Sequence, residues 1–327
     1  MANRVIITAS GGGHTGYAVA LAQKLEKKAE ILFIVPEGDS WSKSKVEKYG
    51  KIIYIKKARG PKDSLVKAIP GLFIAGLQSL KEISTSYDVF VSTGSNHSVP
   101  PAIAAKIKGL KLINIECADR FVKPSLSVET LKYISDLTVL QWPEQRKILP
   151  QGIVIGPIYE NPLYPPQDKN YILVAGGTYG HKPLFDTVSN LDLDNIVLQT
   201  GKVDPEPYRK KHPEWIIFNF DPDFQKWIAG ASIVISHPGK TIIDAALTYK
   251  KPTIIAPNPE WPLTSGWLDA IFLAKKLNAI PVKEITPENI LNAIRKAKRR
   301  KPPVFPNGAE KLAKMILNGL SENIPHR

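Results

Sequence analysis

Twice along the chain a run of apolar residues stops at glycines and a histidine: VIIT leads into ASGGGH at 5–14, and YILVA leads into GGTYGH at 171–181. Glycines at the end of a strand permit positive φ and close backbone approach, and the helix start that follows presents free N–H groups to an anion. A chain that repeats this unit, with apolar runs alternating with helical patterns in between, folds as an open parallel α/β sheet.

The expected strands of the first half are Val5–Thr8, Ile31–Val35, Ile52–Ile55, Val89–Ser92, Leu112–Ile115 and Leu137–Gln141. They carry few alternating polar residues, as strands covered on both faces do. Helical patterns lie near Tyr17–Lys27, Asp63–Ile83, Val99–Ile107 and Val128–Ile134. Residues 157–168, PIYENPLYPPQD, hold four prolines and no apolar period, which reads as a linker. The rhythm then restarts. Strands are expected at Tyr171–Ala175, Ile196–Gln199, Trp215–Phe218, Ile233–Ser236 and Thr253–Ala256. Helices are expected near Asp223–Ala229, Lys240–Leu247, Leu268–Leu277, Pro287–Arg299 and Ala309–Leu317. The reading is two Rossmann-like domains, 1–160 and 161–327, with the last helix free to pack back on the first. Ligands are expected in a cleft at the carboxyl ends of the strands.

Charge and composition narrow the function. The net charge of +14 fits either an anionic partner or a lysine-rich thermophilic surface. No nucleic-acid signature accompanies it, so nucleic acid is not expected. One cysteine, Cys117, excludes an intramolecular disulfide and a cysteine zinc cage. Neither a secretory signal nor a spanning helix is expected; the apolar stretch from Ala68 to Leu77 is half of the roughly 20 residues a bilayer requires. The expected place is therefore the cytoplasm or the membrane surface facing it.

Residues that carry chemistry gather at strand ends. His14 follows Gly11, Gly12 and Gly13 and suits either a general base or a helix cap. STGSNHS at 92–98 offers hydroxyls and a glycine, and His97 there reads as a helix-start residue. Glu116 directly follows an apolar strand and has either a function or a structural ion pair with Arg120. In the second half Gly176, Gly177 and Thr178 form the repeated loop, Thr200 ends the next strand, and HPGKTIID at 237–244 opens another helix. There is no HExxH, no GxGxxG with its acidic partner and no Walker loop; the aspartates of LDLD at 191–194 precede a strand and read as loop. No metal ion and no cofactor is expected.

These motifs in this order resemble a known family. SGGGHT at 10–15, STGS at 92–95, IECADRFVKPSLS at 115–127 and LQWPE at 140–144 resemble the acceptor-side subunit of the eukaryotic UDP-GlcNAc transferase that makes dolichol-linked chitobiose. VAGGTYGH at 174–181, LQTGK at 198–202, VISHPGKTIIDA at 234–245 and KKPTIIAPN at 250–258 resemble its catalytic partner subunit. Both are similar to the bacterial transferase that adds GlcNAc to the lipid-linked peptidoglycan precursor. The fold implied is GT-B. The implied activity is inverting, metal-independent transfer of GlcNAc from UDP-GlcNAc to a lipid-diphosphate-linked GlcNAc during N-glycan precursor assembly, by an enzyme peripheral on the inner face of the membrane.

The resemblance also implies roles. Gly176, Gly177, Thr178, Thr200, Ser236, His237, Gly239, Lys240, Thr241 and Asp244 bind the donor. Gly12, Gly13, Thr15, Gly94, Ser95, Asn96 and Arg120 bind the acceptor. His14 and Glu116 project into the cleft, one as base and the other as its partner or substitute. The sequence departs from the family at two points. Ala245 stands where relatives carry a ribose-gripping glutamate, and Asp244, the nearest carboxylate, lies about 100° round a helix. LTSGWLDA at 263–270 lacks the sugar-contacting glutamine, with Asp269 as a substitute. No counterpart of the family's N-terminal membrane anchor is expected; SLVKAIPGLFIAGLQSLKEI at 64–83, with Lys67 and Lys81 and broken at Pro70 and Gly71, either lies on the membrane or packs on the sheet. Another UDP-sugar, a soluble acceptor or a UDP-GlcNAc 2-epimerase activity would use the same fold. Lysine and isoleucine richness with the fused architecture points to a thermophilic archaeal source.

Overall fold

The computed structural model describes residues 3–57, 65–261 and 265–320. Asp63 and Ser64, and Leu263 and Thr264, lie outside them. The chain forms two compact units. One comprises the described residues up to Glu160 together with those from Pro306 onward; the other is Asn161–Phe305.

The first unit is built on β1 (Asn3–Thr8), β2 (Ala29–Pro36), β3 (Lys51–Ile55), β4 (Val89–Ser92), β5 (Lys111–Ile115), β6 (Leu137–Leu140) and β7 (Ile153–Val154). All pair in parallel in the order β3-β2-β1-β4-β5-β6-β7. Successive side chains alternate between the faces. Val5, Ile7, Val89 and Val91 pack with Ala18, Leu21 and Leu25 of the Gly12–Leu25 helix and with Leu312 and Ile316 of the Gly308–Leu317 helix. Ile6, Phe90 and Leu112 pack on the other face with Ala75, Ala102 and Ala105. Two covered faces explain why these strands read as unbroken apolar runs.

The second unit repeats the plan with β8 (Ile172–Ala175), β9 (Ile196–Gln199), β10 (Ile216–Phe218), β11 (Ile233–Ser236), β12 (Thr253–Ile255) and β13 (Ile280–Pro281). The order is β10-β9-β8-β11-β12-β13, again all parallel. Val174, Leu198, Ile235 and Ile254 face Leu184, Phe185, Ile290 and Ile294; Leu173, Ala175, Val197 and Val234 face Ile228, Ala245 and Tyr249. In each sheet the order reverses once, between β1 and β4 and between β8 and β11. Those reversals are where a doubly wound sheet opens a crevice for a ligand.

Two local expectations are corrected. The Leu65–Glu82 helix runs through Pro70 and Gly71 without a break. A proline in the second turn removes the one backbone hydrogen bond that its N–H would have made and leaves the rest of the helix ladder in place. The helix at 240–248 changes at Asp244 from α to π geometry, which continues to Thr248.

Candidate active site

At the β1/β4 reversal, two threonines build the floor. The Thr8 hydroxyl accepts the Thr93 N–H at 3.1 Å, and the Thr93 hydroxyl donates to the Thr8 carbonyl at 3.0 Å. Thr8 also lies 2.7 Å from the Ser98 hydroxyl. This lattice fixes the Thr93 carbonyl, which lies 2.7 Å from Nδ1 of half-buried His14. A carbonyl only accepts, so Nδ1 carries the proton and Nε2 keeps a lone pair. Burial is the largest influence on the imidazole and lowers its pKa below 6.5, the Thr93 bond and the Asp119 carboxylate opposing and Arg120 and Lys57 assisting. His14 is thus a neutral imidazole in the first turn of its helix. Gly11, at φ 49°, donates its N–H to Asp39 and to Ser42, each at 2.9 Å, which anchors the turn.

The neighbouring loop, 116–125, is fastened at each end and in the middle. Glu116 is fully buried; its Oε1 accepts the Cys117 N–H at 2.7 Å and its Oε2 the Ser125 N–H at 2.9 Å. Burial pushes this carboxyl up to about 7 against those bonds and the Arg120 charge. The Tyr17 hydroxyl accepts the Ala118 N–H at 3.0 Å, and the Trp142 indole donates to the Ala118 carbonyl at 2.8 Å. Gln145 donates to the carbonyls of Cys117 and Arg120 at 2.7 and 2.8 Å, and Gln141 donates to that of Glu116 at 2.8 Å. The IEC..R and QWPE motifs are therefore the two sides of one clamp. Both oxygens of Glu116 thus hold the loop. The carboxylate whose charge acts on His14 is Asp119, which no sequence motif singles out.

Among the expected acceptor residues, Thr15 is corrected: it is fully buried and its hydroxyl lies 2.8 Å from that of Ser42. Gly12, Gly13, Gly94, Ser95, Asn96 and Arg120 all lie at the carboxyl edge, and Asn96 is exposed there. Gly94 is obligatory; at φ 87°, an added Cβ would stand 2.7 Å from the Ile115 carbonyl oxygen.

In the second unit, the loop after β8 meets the one after β11. A Cβ on Gly177, at φ 65°, would stand 2.6 Å from the His237 ring. The Gly177 N–H donates to the Gln199 side chain at 2.9 Å, and that amide returns a bond to the Gly177 carbonyl at 3.0 Å. Thr200 and Ser236 are also corrected. Both are fully buried; Thr200 turns its hydroxyl toward the Phe218 carbonyl at 3.5 Å, and Ser236 donates to that of Ala175 at 2.7 Å. Asp244 is neither solvated nor outward-facing. It is buried with Lys240, whose ammonium lies 2.5 and 2.6 Å from its two oxygens. Ala245, one residue on, lies in the core. Thr178, His237, Gly239 and Thr241 remain half-buried at the edge. The second histidine, His181, is a buried cap: it accepts the Leu184 N–H, its Nε2 lies 3.1 Å from the Ala256 carbonyl oxygen, and burial pushes its pKa down to about 4. Among the described residues no group of three or more His, Cys, Asp or Glu is placed to hold a metal ion.

Two doubly wound parallel sheets in one chain, with glycine loops at each reversal, have the architecture of the GT-B glycosyltransferases. The crystal structure of Acinetobacter baumannii MurG superposes with a TM-score of 0.65 at 18% identity, over 97% of this chain and 100% of that one. A UDP-N-acetylglucosamine 2-epimerase from Rickettsia bellii superposes with a TM-score of 0.62 at 13% identity, over 98% and 96%. Residues 5–158 match the family described as oligosaccharide biosynthesis protein Alg14 like, and residues 171–320 match the glycosyltransferase family 28 C-terminal domain. An Alg14-like segment and a family 28 glycosyltransferase C-terminal domain thus follow one another in one polypeptide. Over 325 residues it is 26% identical to the UDP-N-acetylglucosamine--N-acetylmuramyl-(pentapeptide) pyrophosphoryl-undecaprenol N-acetylglucosamine transferase of Lawsonia intracellularis, covering 90% of this chain and 88% of that protein.

Proposed function

We propose that the protein transfers N-acetylglucosamine from UDP-GlcNAc to a lipid-diphosphate-linked GlcNAc, with inversion and without a metal ion, in the assembly of an N-glycan precursor. The single observation that carries the chemistry is His14, held neutral with Nε2 available. The acceptor hydroxyl oxygen attacks the anomeric carbon as the bond to the UDP oxygen breaks, and the hydroxyl proton passes to Nε2. Asp119 stabilises the imidazolium that forms, and Glu116 holds the loop that carries Asp119 and Arg120. The second unit takes the donor, with Thr178, His237, Gly239 and Thr241 at the diphosphate and the β8 and β11 loops stabilising the leaving charge.

A lipid-linked acceptor is supported by an apolar stripe on the first unit. Ile69, Phe73 and Leu77 are 60%, 68% and 53% exposed, at i, i+4 and i+8 of one helix. Ile103 and Ile107 of the adjoining Val99–Ile107 helix are also exposed. Such a stripe on a chain of net charge +14 suits the cytoplasmic surface of a membrane. No described helix is long and apolar enough to cross one.

The test is purified protein with UDP-GlcNAc and a lipid-diphosphate-GlcNAc, in EDTA. Formation of a β-linked disaccharide lipid supports the reading. Loss of transfer in EDTA removes metal independence. UDP-GlcNAc turnover without any acceptor favours an epimerase or hydrolase.

A further inference from the structure

The second unit carries an aromatic pair in its carboxyl-edge loops. Tyr179, in the loop after β8, and Trp261, after β12, lie with ring centroids 4.8 Å apart and planes inclined at 37°. Both are half-buried. The ammonium of Lys202, after β9, stands 5.0 Å from the Tyr179 ring centroid and is otherwise exposed. In the order β9-β8-β11-β12, these three residues come from the carboxyl ends on both sides of the β8/β11 reversal. Tyr179 and Trp261 thus meet across the end of β11.

The arrangement is built rather than incidental. Asn258 donates to the Gly180 carbonyl at 3.2 Å, tying the β12 loop to the β8 loop. Gly201 fits so closely under the β8 loop that a Cβ there would stand 2.2 Å from the Gly177 carbonyl oxygen. Three loops are locked together, and what they hold at the edge is two ring faces and one cation. A half-buried aromatic face offers C–H contact area in a fixed orientation, and a neighbouring ammonium favours an anion.

Resting on the UDP-sugar reading above, we propose that the Trp261 indole, backed by Tyr179, packs against the pyranose ring of the donor and selects it, while Lys202 faces the diphosphate. Sugar choice then rests on Trp261.

The experiment is calorimetric titration of the full-length protein with UDP-GlcNAc and, separately, with UDP. For Trp261→Ala, the expected result is a Kd for UDP-GlcNAc raised about tenfold and a Kd for UDP changed less than about twofold, with Trp261→Phe restoring most of the loss. Trp261→Leu, which keeps apolar volume, is measured beside them to guard against misfolding, and it too loses UDP-GlcNAc selectively. An equal loss for UDP assigns the rings to the nucleoside and overturns the proposal, as does an unchanged Kd for both. A wild-type protein that binds neither ligand overturns the donor reading itself.

Discussion

Nδ1 of His14 lies 2.7 Å from the carbonyl oxygen of Thr93, and that contact fixes which nitrogen of the ring is basic. Replacing His14 with alanine is expected to lower kcat by about 10²–10⁴-fold while leaving the KM for UDP-GlcNAc within about twofold, because a base acts on the transition state and not on the donor. The acid limb of kcat/KM is expected to report an apparent pKa below 6.5, the direction that burial imposes on this imidazole. An acid limb retained in His14→Ala would assign it to another group.

The buried acid and the buried histidines shift stability in opposite directions. Glu116 is raised from 4.5 to about 7, so between these pH values the unfolded chain is ionised there and the folded one is not; stability from this group is full at low pH and falls as pH rises through that window. His97 and His181 are lowered from 6.5 to about 4, so their contribution is full above 6.5 and is lost as pH falls toward 4. Between about pH 5 and 6, unfolding is expected to take up two protons at His97 and His181 and release one at Glu116, and His14, lowered as well, adds to the uptake; the slope of unfolding free energy against pH measures the sum. Glu116→Gln should raise the net uptake by about one.

Lys240 and Asp244 are a buried pair, 2.5 Å apart at the closer oxygen. Asp244→Asn leaves a buried ammonium without its carboxylate and is expected to cost about 3–5 kcal/mol in denaturant unfolding. The double replacement Lys240→Met with Asp244→Leu is expected to lie closer to wild type than either single change. A double variant as unstable as the sum of the singles contradicts this account.

Phe73 and Leu77 stand on the exposed stripe of the Leu65–Glu82 helix. Changing both to aspartate removes apolar area and adds repulsion, so binding to anionic vesicles is expected to fall by at least about tenfold, with no loss of thermal stability. Sedimentation with vesicles checks it, and unchanged binding would direct attention to another surface.

Most of the strands were legible because each is covered on two faces and therefore written as an apolar run. β7 and β13 were not, being pairs of residues with no run to see. The Lys182–Val188 helix was hidden by Pro183, which reads as a breaker but sits in the first turn, where no N–H is needed. Carboxyl-edge loops were located correctly; the direction of single hydroxyls was not. Thr15, Thr200 and Ser236 turn toward Ser42, Phe218 and Ala175, partners far away in sequence that only the sheet brings near. Asp119 was missed for the same reason, since its relation to His14 exists only after Tyr17 and Trp142 have fastened the intervening loop.

The Gly308–Leu317 helix joins the core of the first unit, and the turn before it is stitched to Pro157 and Tyr159. The polypeptide thus closes on its own beginning. Severing it at the prolines would yield an amino-terminal fragment with a greasy scar along Leu21 and Leu25, and a carboxyl-terminal fragment trailing the patch that fits it.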